Sequence, residues 1–177
     1  MSKCEQCGKE AKVHLANEDG TAQALCANCY SALTAELMDM EMPTVPETLC
    51  LEDCEGKSHT FHIEFLFHPH CKELTARENY DDGYACTMAG TPEENFSFMW
   101  SRLTNRLSKM LSVKYIEDGR FIGNKAAGYV NYDRERDTHY LVIDGKRYDW
   151  SEIGKQLATY EGFQIKIEFA DPSDEPL

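Results

Sequence analysis

Two Cys-x-x-Cys pairs lie near the start of the chain, and they constrain its fold more than any other feature. Cys4 and Cys7 form the first pair, and after eighteen residues Cys26 and Cys29 form the second. Structural zinc is held by four ligands at tetrahedral angles, and two cysteines separated by two residues can reach one ion from a tight turn. The spacing therefore predicts that these four cysteines bind one structural Zn²⁺ ion.

The residues around the two pairs favour a small zinc ribbon or treble-clef-like finger over residues 1–41. Strand-like runs lie on both sides of a Glu-Asp-Gly turn at 18–20, which predicts a hairpin that returns the second pair to the first. Gly8 directly follows the first pair, where a turn often needs positive φ. A helix is predicted from about Tyr30 to Met40, with an apolar stripe formed by Ala32, Leu33, Leu37 and Met40.

Other uses of four cysteines agree less well with this pattern. A redox Cys-x-x-Cys usually occurs once, in a βαβ setting. Disulfides are rare in the cytosol, where a chain without a signal-like apolar start is expected to reside. Four thiolates close the coordination shell, which argues against catalytic zinc, whereas an iron–sulfur centre stays open as an alternative. His14 falls in mid-strand and is interpreted as a packing or surface residue.

Residues 4–30 resemble the N-terminal zinc module of bacterial protein-arginine-kinase activators and of some UVR-motif Clp ATPases. The matching residues are Cys4, Cys7, Gly8, Lys9, Ala11, Val13, His14, Leu15, Cys26 and Cys29. The resemblance implies a zinc-binding module that mediates protein–protein contacts, as in an adaptor, and that has no catalytic activity of its own. No basic helical UVR segment follows. The remainder is similar to uncharacterised bacterial proteins that join a zinc ribbon to an α+β domain.

After a proline-containing linker at 42–49, residues 50–170 predict an α+β domain with a mostly antiparallel sheet and two helices, followed by a flexible tail at 171–177. Alternation predicts strands in which Phe61, Ile63, Phe65 and Phe67, and later Phe163, Ile165, Ile167 and Phe169, point inward. The pair Asp144–Gly145 predicts a type I′ hairpin turn.

Capping signals define the two helices of this domain. Thr91 is the predicted N-cap of the first, with Pro92 at its first position and Glu94 completing a capping box. Its predicted buried stripe contains Phe96, Met99, Trp100, Leu103, Leu107, Met110 and Leu111. Asp149 and Glu152 form the corresponding capping box of the second helix.

Several other polar groups are candidates for a metal-binding or catalytic site. Cys50, Cys54, His59 and His62 have a spacing that leaves a second metal site open, but the strand phase puts the two histidines on opposite faces, which favours independent residues. The turn containing His68, His70 and Cys71 is interpreted as a polar hairpin end. Cys86 is interpreted as a buried thiol. Arg102, Arg106 and Lys109 are interpreted as a solvated helix face.

The net charge of −13 disfavours a nucleic-acid backbone as the partner. No apolar run is long enough to span a membrane, and no recognisable catalytic motif is present. We therefore expect a cytoplasmic, non-enzymatic protein-interaction or adaptor protein. The alternatives are a nucleic-acid-binding zinc ribbon, or an enzyme with a site in the α+β domain near Cys71, His68 or Arg106.

Overall fold

The computed structural model describes residues 2–16, 20–78 and 82–170. The fold is α+β, and every strand pair in the described part is antiparallel, as the sequence predicts. The helices are α1 Ala27–Leu37, α2 Phe96–Leu111 and α3 Trp150–Leu157. The strands are β1 Val13–Ala16, β2 Ala22–Leu25, β3 Thr48–Glu52, β4 Ser58–His68, β5 Cys71–Glu78, β6 Ala85–Gly90, β7 Ile116–Glu117, β8 Arg120–Phe121, β9 Tyr129–Asp133, β10 Thr138–Ile143 and β11 Lys146–Tyr148.

The first unit is the predicted hairpin followed by a helix. β1 pairs with β2 so that Val13 lies opposite Leu25. Gly8 has a φ of 74°, in agreement with the tight turn that was predicted there. Most of the Glu-Asp-Gly turn lies outside the described residues. Directly after β2, Cys26 is the N-cap of α1, so the helix begins earlier than the sequence pattern indicated.

The buried face of α1 differs from the predicted apolar stripe. Ser31 and Thr34 are buried, together with Tyr30 and Ala35, whereas Leu37 is 78% exposed. The prediction was wrong for Ala32 and Leu37, which are exposed, whereas Leu33 and Met40 are half-buried and pack against the two cores. The buried surface instead takes small polar side chains whose hydroxyl groups are satisfied locally or by the neighbouring sheet.

The main core lies between α2 and a four-stranded sheet of order β3-β4-β5-β6. Alternation along β4 buries Phe61, Phe65 and Phe67 on the face towards α2, as predicted, and leaves Ile63 half-buried. The buried residues of α2 are Met99, Leu103, Leu107 and Leu111. Phe96, Trp100 and Met110 pack against the edge of this core.

The start of α2 is four residues later than the capping signals predicted. Asn95 is the N-cap, and its side-chain oxygen accepts a hydrogen bond from the Ser97 N–H at 2.7 Å. Glu94 does not form the predicted capping box. Its carbonyl oxygen accepts from Lys72 Nζ at 3.0 Å and its carboxylate pairs with Arg102 at 3.1 Å. Lys72 of β5 therefore holds the residue that directly precedes the N-cap.

The strands after α2 are divided between a β7–β8 hairpin and a three-stranded sheet of order β11-β10-β9. Asp144 and Gly145 both have positive φ, which confirms the predicted turn between β10 and β11. The Asp144 carboxylate also accepts hydrogen bonds from the Tyr115 and Ile116 N–H groups at 2.9 and 2.7 Å. The turn therefore also holds the start of the β7–β8 hairpin against this sheet.

The last predicted strand does not form. Residues 163–170 have no assigned secondary structure, and the four side chains expected to point inward are 68–84% exposed. The sequence alternation is clear, but no neighbouring strand among the described residues supplies the hydrogen bonds that a strand requires. The predicted flexible tail at 171–177 lies outside the described residues. No helix within the described ranges is both long enough and apolar enough to cross a membrane.

Ser31 of helix α1 makes a polar contact that joins the first unit to the main sheet. β3 pairs with β4 only as far as His62, so the edge of β4 beyond that point has no strand neighbour in the described part of the chain. Ser31 occupies this place. Its hydroxyl donates to the Phe65 carbonyl at 3.4 Å and accepts from the Phe67 N–H at 2.9 Å. Ser31 is fully buried, so these polar backbone groups are satisfied by a side chain instead of a strand.

Replacing Ser31 with alanine would leave the buried Phe67 N–H without an acceptor. We expect the free energy of unfolding to fall by about 1–3 kcal/mol, measured by urea denaturation with tryptophan fluorescence. The control is Ser101→Ala, which removes an exposed hydroxyl bonded to its own helix at the Ser97 carbonyl and should change stability by no more than about 0.5 kcal/mol. Equal effects of the two substitutions would contradict the bridging role of Ser31.

Candidate metal centre

The four cysteines of the two pairs lie together in the structure. Their sulfur atoms are all within 4.8 Å of one another, and the Sγ atoms of Cys7 and Cys26 are 3.5 Å apart. Tetrahedral zinc with bonds of about 2.3 Å places its sulfur ligands about 3.8 Å from each other. The donor set and its dimensions therefore fit one metal ion of this kind.

Two turns place the thiols at one point. The first pair lies in a turn closed by hydrogen bonds from the Gly8 N–H to the Cys4 carbonyl at 2.9 Å and from the Cys4 N–H to the Lys9 carbonyl at 2.7 Å. The second pair lies at the start of α1, where Cys26 Sγ accepts from the Cys29 N–H at 3.5 Å. The two turns are held side by side by the Glu5 N–H, which donates to the Ala24 carbonyl at 2.9 Å.

Backbone N–H groups stabilise the negatively charged thiolate form of one cysteine in this site. Burial alone would raise the pKa of the Cys4 thiol, but backbone N–H groups of Cys26, Cys7 and Gln6 outweigh that effect and lower the pKa to about 6. Burial and the neighbouring thiols instead raise the pKa of Cys29. Four thiols at this distance cannot all ionise unless a cation compensates their charge, and a bound divalent metal supplies that compensation.

The site is enclosed on one side and open on the other. Cys4 and Cys26 are buried with Leu25 and Tyr30, whereas Cys7 is exposed. His14 lies on β1, where its Nε2 atom is 3.0 Å from Ser2 Oγ, and it is not a member of the cysteine group. This position agrees with its interpretation as a surface residue.

The residues of the second candidate metal set are separated. Alternation along β4 buries His59 and exposes His62, so they lie on opposite faces as predicted. Cys54 is exposed, and the exposed Cys50 lies 3.6 Å from the Thr60 hydroxyl. Within the described ranges, only the four N-terminal cysteines gather into a group suited to a metal.

His59 instead belongs to a buried ionic cluster that the sequence did not indicate. Its Nδ1 is 2.7 Å from Glu78 Oε1 and its Nε2 is 3.1 Å from Asp53 Oδ2. The other Glu78 oxygen accepts from the Tyr84 N–H at 2.6 Å. The side chains of His59 and Glu78 are 5% and 4% exposed. Hydrogen bonding to His59 and to the Lys57 N–H lowers the pKa of Asp53 to about 2. This cluster ties the β3–β4 turn to the end of β5.

The other polar candidates have structural contacts. His68 Nδ1 is 2.9 Å from the Tyr30 hydroxyl, which joins the β4–β5 turn to α1. Cys86 is 5% exposed, and burial raises its pKa to about 11, which agrees with the prediction of a buried thiol. Arg102 pairs with Glu94 and lies over the Phe98 ring at 5.8 Å.

Two surface depressions flank the main sheet. One, of about 160 Å³, lies between the first unit and the sheet and is lined by Lys12, Val13, Ala27, Glu64, Leu66, Glu73, Thr75 and Arg77. The other, of about 340 Å³, is lined by Pro46, Phe96, Ser97, Trp100 and Ser101. Neither has His68 or Cys71 in its lining, so these depressions do not gather the residues that would have supported an enzyme.

Three family models match successive parts of the chain, and each is described as a domain of unknown function. DUF7685 matches residues 3–41, DUF7686 matches 43–112 and DUF7713 matches 115–174. The first range holds the four cysteines and α1, the second holds the four-stranded sheet and α2, and the third holds β7–β11 and α3. The comparisons with curated proteins and with solved structures give no match.

The buried cluster around His59 gives a direct test of stability. His59→Leu would leave the buried Glu78 carboxylate without its side-chain hydrogen-bond partner, so we expect a loss of about 1–3 kcal/mol or more in the free energy of unfolding. The matched control is His62→Leu on the exposed face of the same strand, which should change stability by no more than about 0.5 kcal/mol. Urea denaturation of both variants measures the difference, and similar losses would contradict the ionic role of His59.

Proposed function

We propose that Cys4, Cys7, Cys26 and Cys29 hold one structural Zn²⁺ ion. The observation that carries this proposal is the gathering of four thiols, with sulfur atoms within 4.8 Å of one another, at the N-terminus of a helix. Zinc suits four thiolate ligands and imposes no redox chemistry on them. With all four positions taken by sulfur, the ion stabilises the fold of the first unit and leaves no open position for a substrate.

The same metal stabilises the packing of α1 against the main sheet. Cys26 caps the helix, and five residues later Ser31 occupies the edge of β4. Ala35, near the other end of the helix, is part of the main core. Loss of the metal would therefore loosen both the first unit and the β4 edge that α1 covers.

Elemental analysis of the purified full chain tests the metal. We expect one zinc per chain, lost in Cys4→Ala and Cys29→Ala and retained in the control Cys50→Ala, which changes an exposed cysteine outside the group. Hydrogen exchange of residues 2–16 and 20–37 should speed up on chelation, because small zinc modules derive their folding energy from the ion. Iron in place of zinc, or unchanged exchange after chelation, would contradict the proposal.

The second part of the proposal is that the protein works as a non-enzymatic interaction or adaptor protein. The closed thiol set, the net charge of −13 and the resemblance of residues 4–30 to zinc modules of adaptor-type proteins support it. Leu37 adds a specific surface feature. It lies at the end of α1 and is 78% exposed, so a protein that contacts this end of the first unit would reach it.

Affinity capture with the full chain, in nuclease-treated lysate, tests this role. We expect the wild type to recover a defined protein partner, Leu37→Asp to lose it, and the adjacent control Glu36→Gln to retain it. Quantitative mass spectrometry compares the three baits. Salt-sensitive recovery of nucleic acid from untreated lysate, without any protein that depends on Leu37, would favour the nucleic-acid alternative instead.

A further inference from the structure

The most unusual surface of the molecule is an apolar row after α3. Phe163, Ile165, Ile167 and Phe169 are 72%, 69%, 68% and 84% exposed. Their alternation with Gln164, Lys166 and Glu168 gives the segment one apolar and one polar face. Single exposed apolar residues are common on proteins, but a contiguous row of four large ones marks a surface that another element covers.

One ion pair within this segment has the spacing that an extended chain gives. Lys166 Nζ lies 2.8 Å from Glu168 Oε2. Side chains two residues apart lie on the same side only where the chain is extended. The segment therefore has a strand-like side-chain arrangement and lacks only a hydrogen-bonding neighbour.

The same part of the chain presents an open sheet edge. β9 pairs with β10 on one side, and among residues 2–16, 20–78 and 82–170 no strand pairs with its other side. The sequence of β9, YVNYD, contains neither the proline nor the lysine that often protects an edge from pairing with another chain.

The apolar face of the three-stranded sheet continues to this edge without a cover. Leu141 and Tyr148 face the local core, and register places Val130 opposite Leu141 on the same face. Val130 and Tyr132, on the same face of β9, are 49% and 44% exposed. A strand added beside β9 with its apolar side on this face would extend the core layer over both residues.

We propose that residues 163–169 of one chain pair with the β9 edge of a second copy, and that the second copy does the same in return. Each chain carries this unpaired segment and the unpaired outer side of β9, so two copies satisfy both in a closed, two-fold symmetric dimer. This reciprocal pairing, called the exchange below, does not involve the four clustered cysteines.

The surface available is sufficient for a stable dimer. The four exposed side chains present on the order of 600 Å² of apolar surface in each chain. A symmetric exchange covers two such segments together with the surfaces that they contact, and the total reaches the roughly 1,200–2,000 Å² that specific interfaces bury. Addition of one segment to an unrelated partner would cover about half as much.

Sedimentation velocity of the full chain over a range of concentrations tests the exchange. We expect a dimer for the wild type and at least about a hundredfold weaker association for Ile167→Asp, because both symmetric contacts lose a buried isoleucine. The matched control, Gln164→Asp, places the same charge on the polar face of the segment and should leave the dimer intact. Circular dichroism verifies that each variant is folded.

Mixing two defective variants identifies the contact that forms. Ile167→Asp has a defective strand and an intact edge, whereas Val130→Asp has the reverse. Each variant alone should be monomeric, and an equimolar mixture should form a heterodimer held by one intact strand–edge contact. A monomeric wild type, which would indicate docking within the same chain or on a foreign partner, would overturn the proposal. Equal effects of Ile167→Asp and Gln164→Asp, or a mixture that stays monomeric, would do the same.

Discussion

The seating of α1 on the edge of β4 is the interaction on which the rest of the structure depends. At its N-terminus the helix is capped by one of the four clustered cysteines, and one turn later Ser31 takes the place of a missing strand on β4. Ala35 then enters the main core. A single helix thus links the thiol cluster, the open half of a sheet edge and the largest apolar core of the described residues.

This arrangement explains why a small polar residue is buried on α1. The Phe65 carbonyl needs a donor and the Phe67 N–H needs an acceptor at the same place, and a hydroxyl is the smallest side-chain group that provides both. A larger apolar residue at position 31 would hold the helix further from β4 and leave these groups unsatisfied. The requirement comes from the partner surface, which explains why helical spacing selected Leu37 instead.

The two ends of the molecule satisfy their polar and apolar groups to different degrees. In the N-terminal and central parts, α1 covers the stretch of the β4 edge that β3 leaves open, and the side chains of His59, Asp53 and Glu78 are bonded to one another. In the region from residue 115 onward, an alternating apolar segment and an uncovered sheet edge lie within one chain. This contrast is the observation behind the proposed pairing of residues 163–169 with β9.

The features that could be predicted from the sequence are those that local chemistry governs. The Cys-x-x-Cys spacing brought four thiols together, Asp144–Gly145 fixed a turn because both residues accept positive φ, and Asp149 with Glu152 capped α3. Tertiary structure set the start of α2, because Lys72 of β5 binds the Glu94 carbonyl from outside the helix, while Arg102 of α2 itself pairs with the Glu94 carboxylate. It also decided the buried face of α1 and the ionic partners of His59. The segment 163–169 has the alternation of a strand, but pairing depends on a neighbour, and the neighbour is a property of the assembled fold.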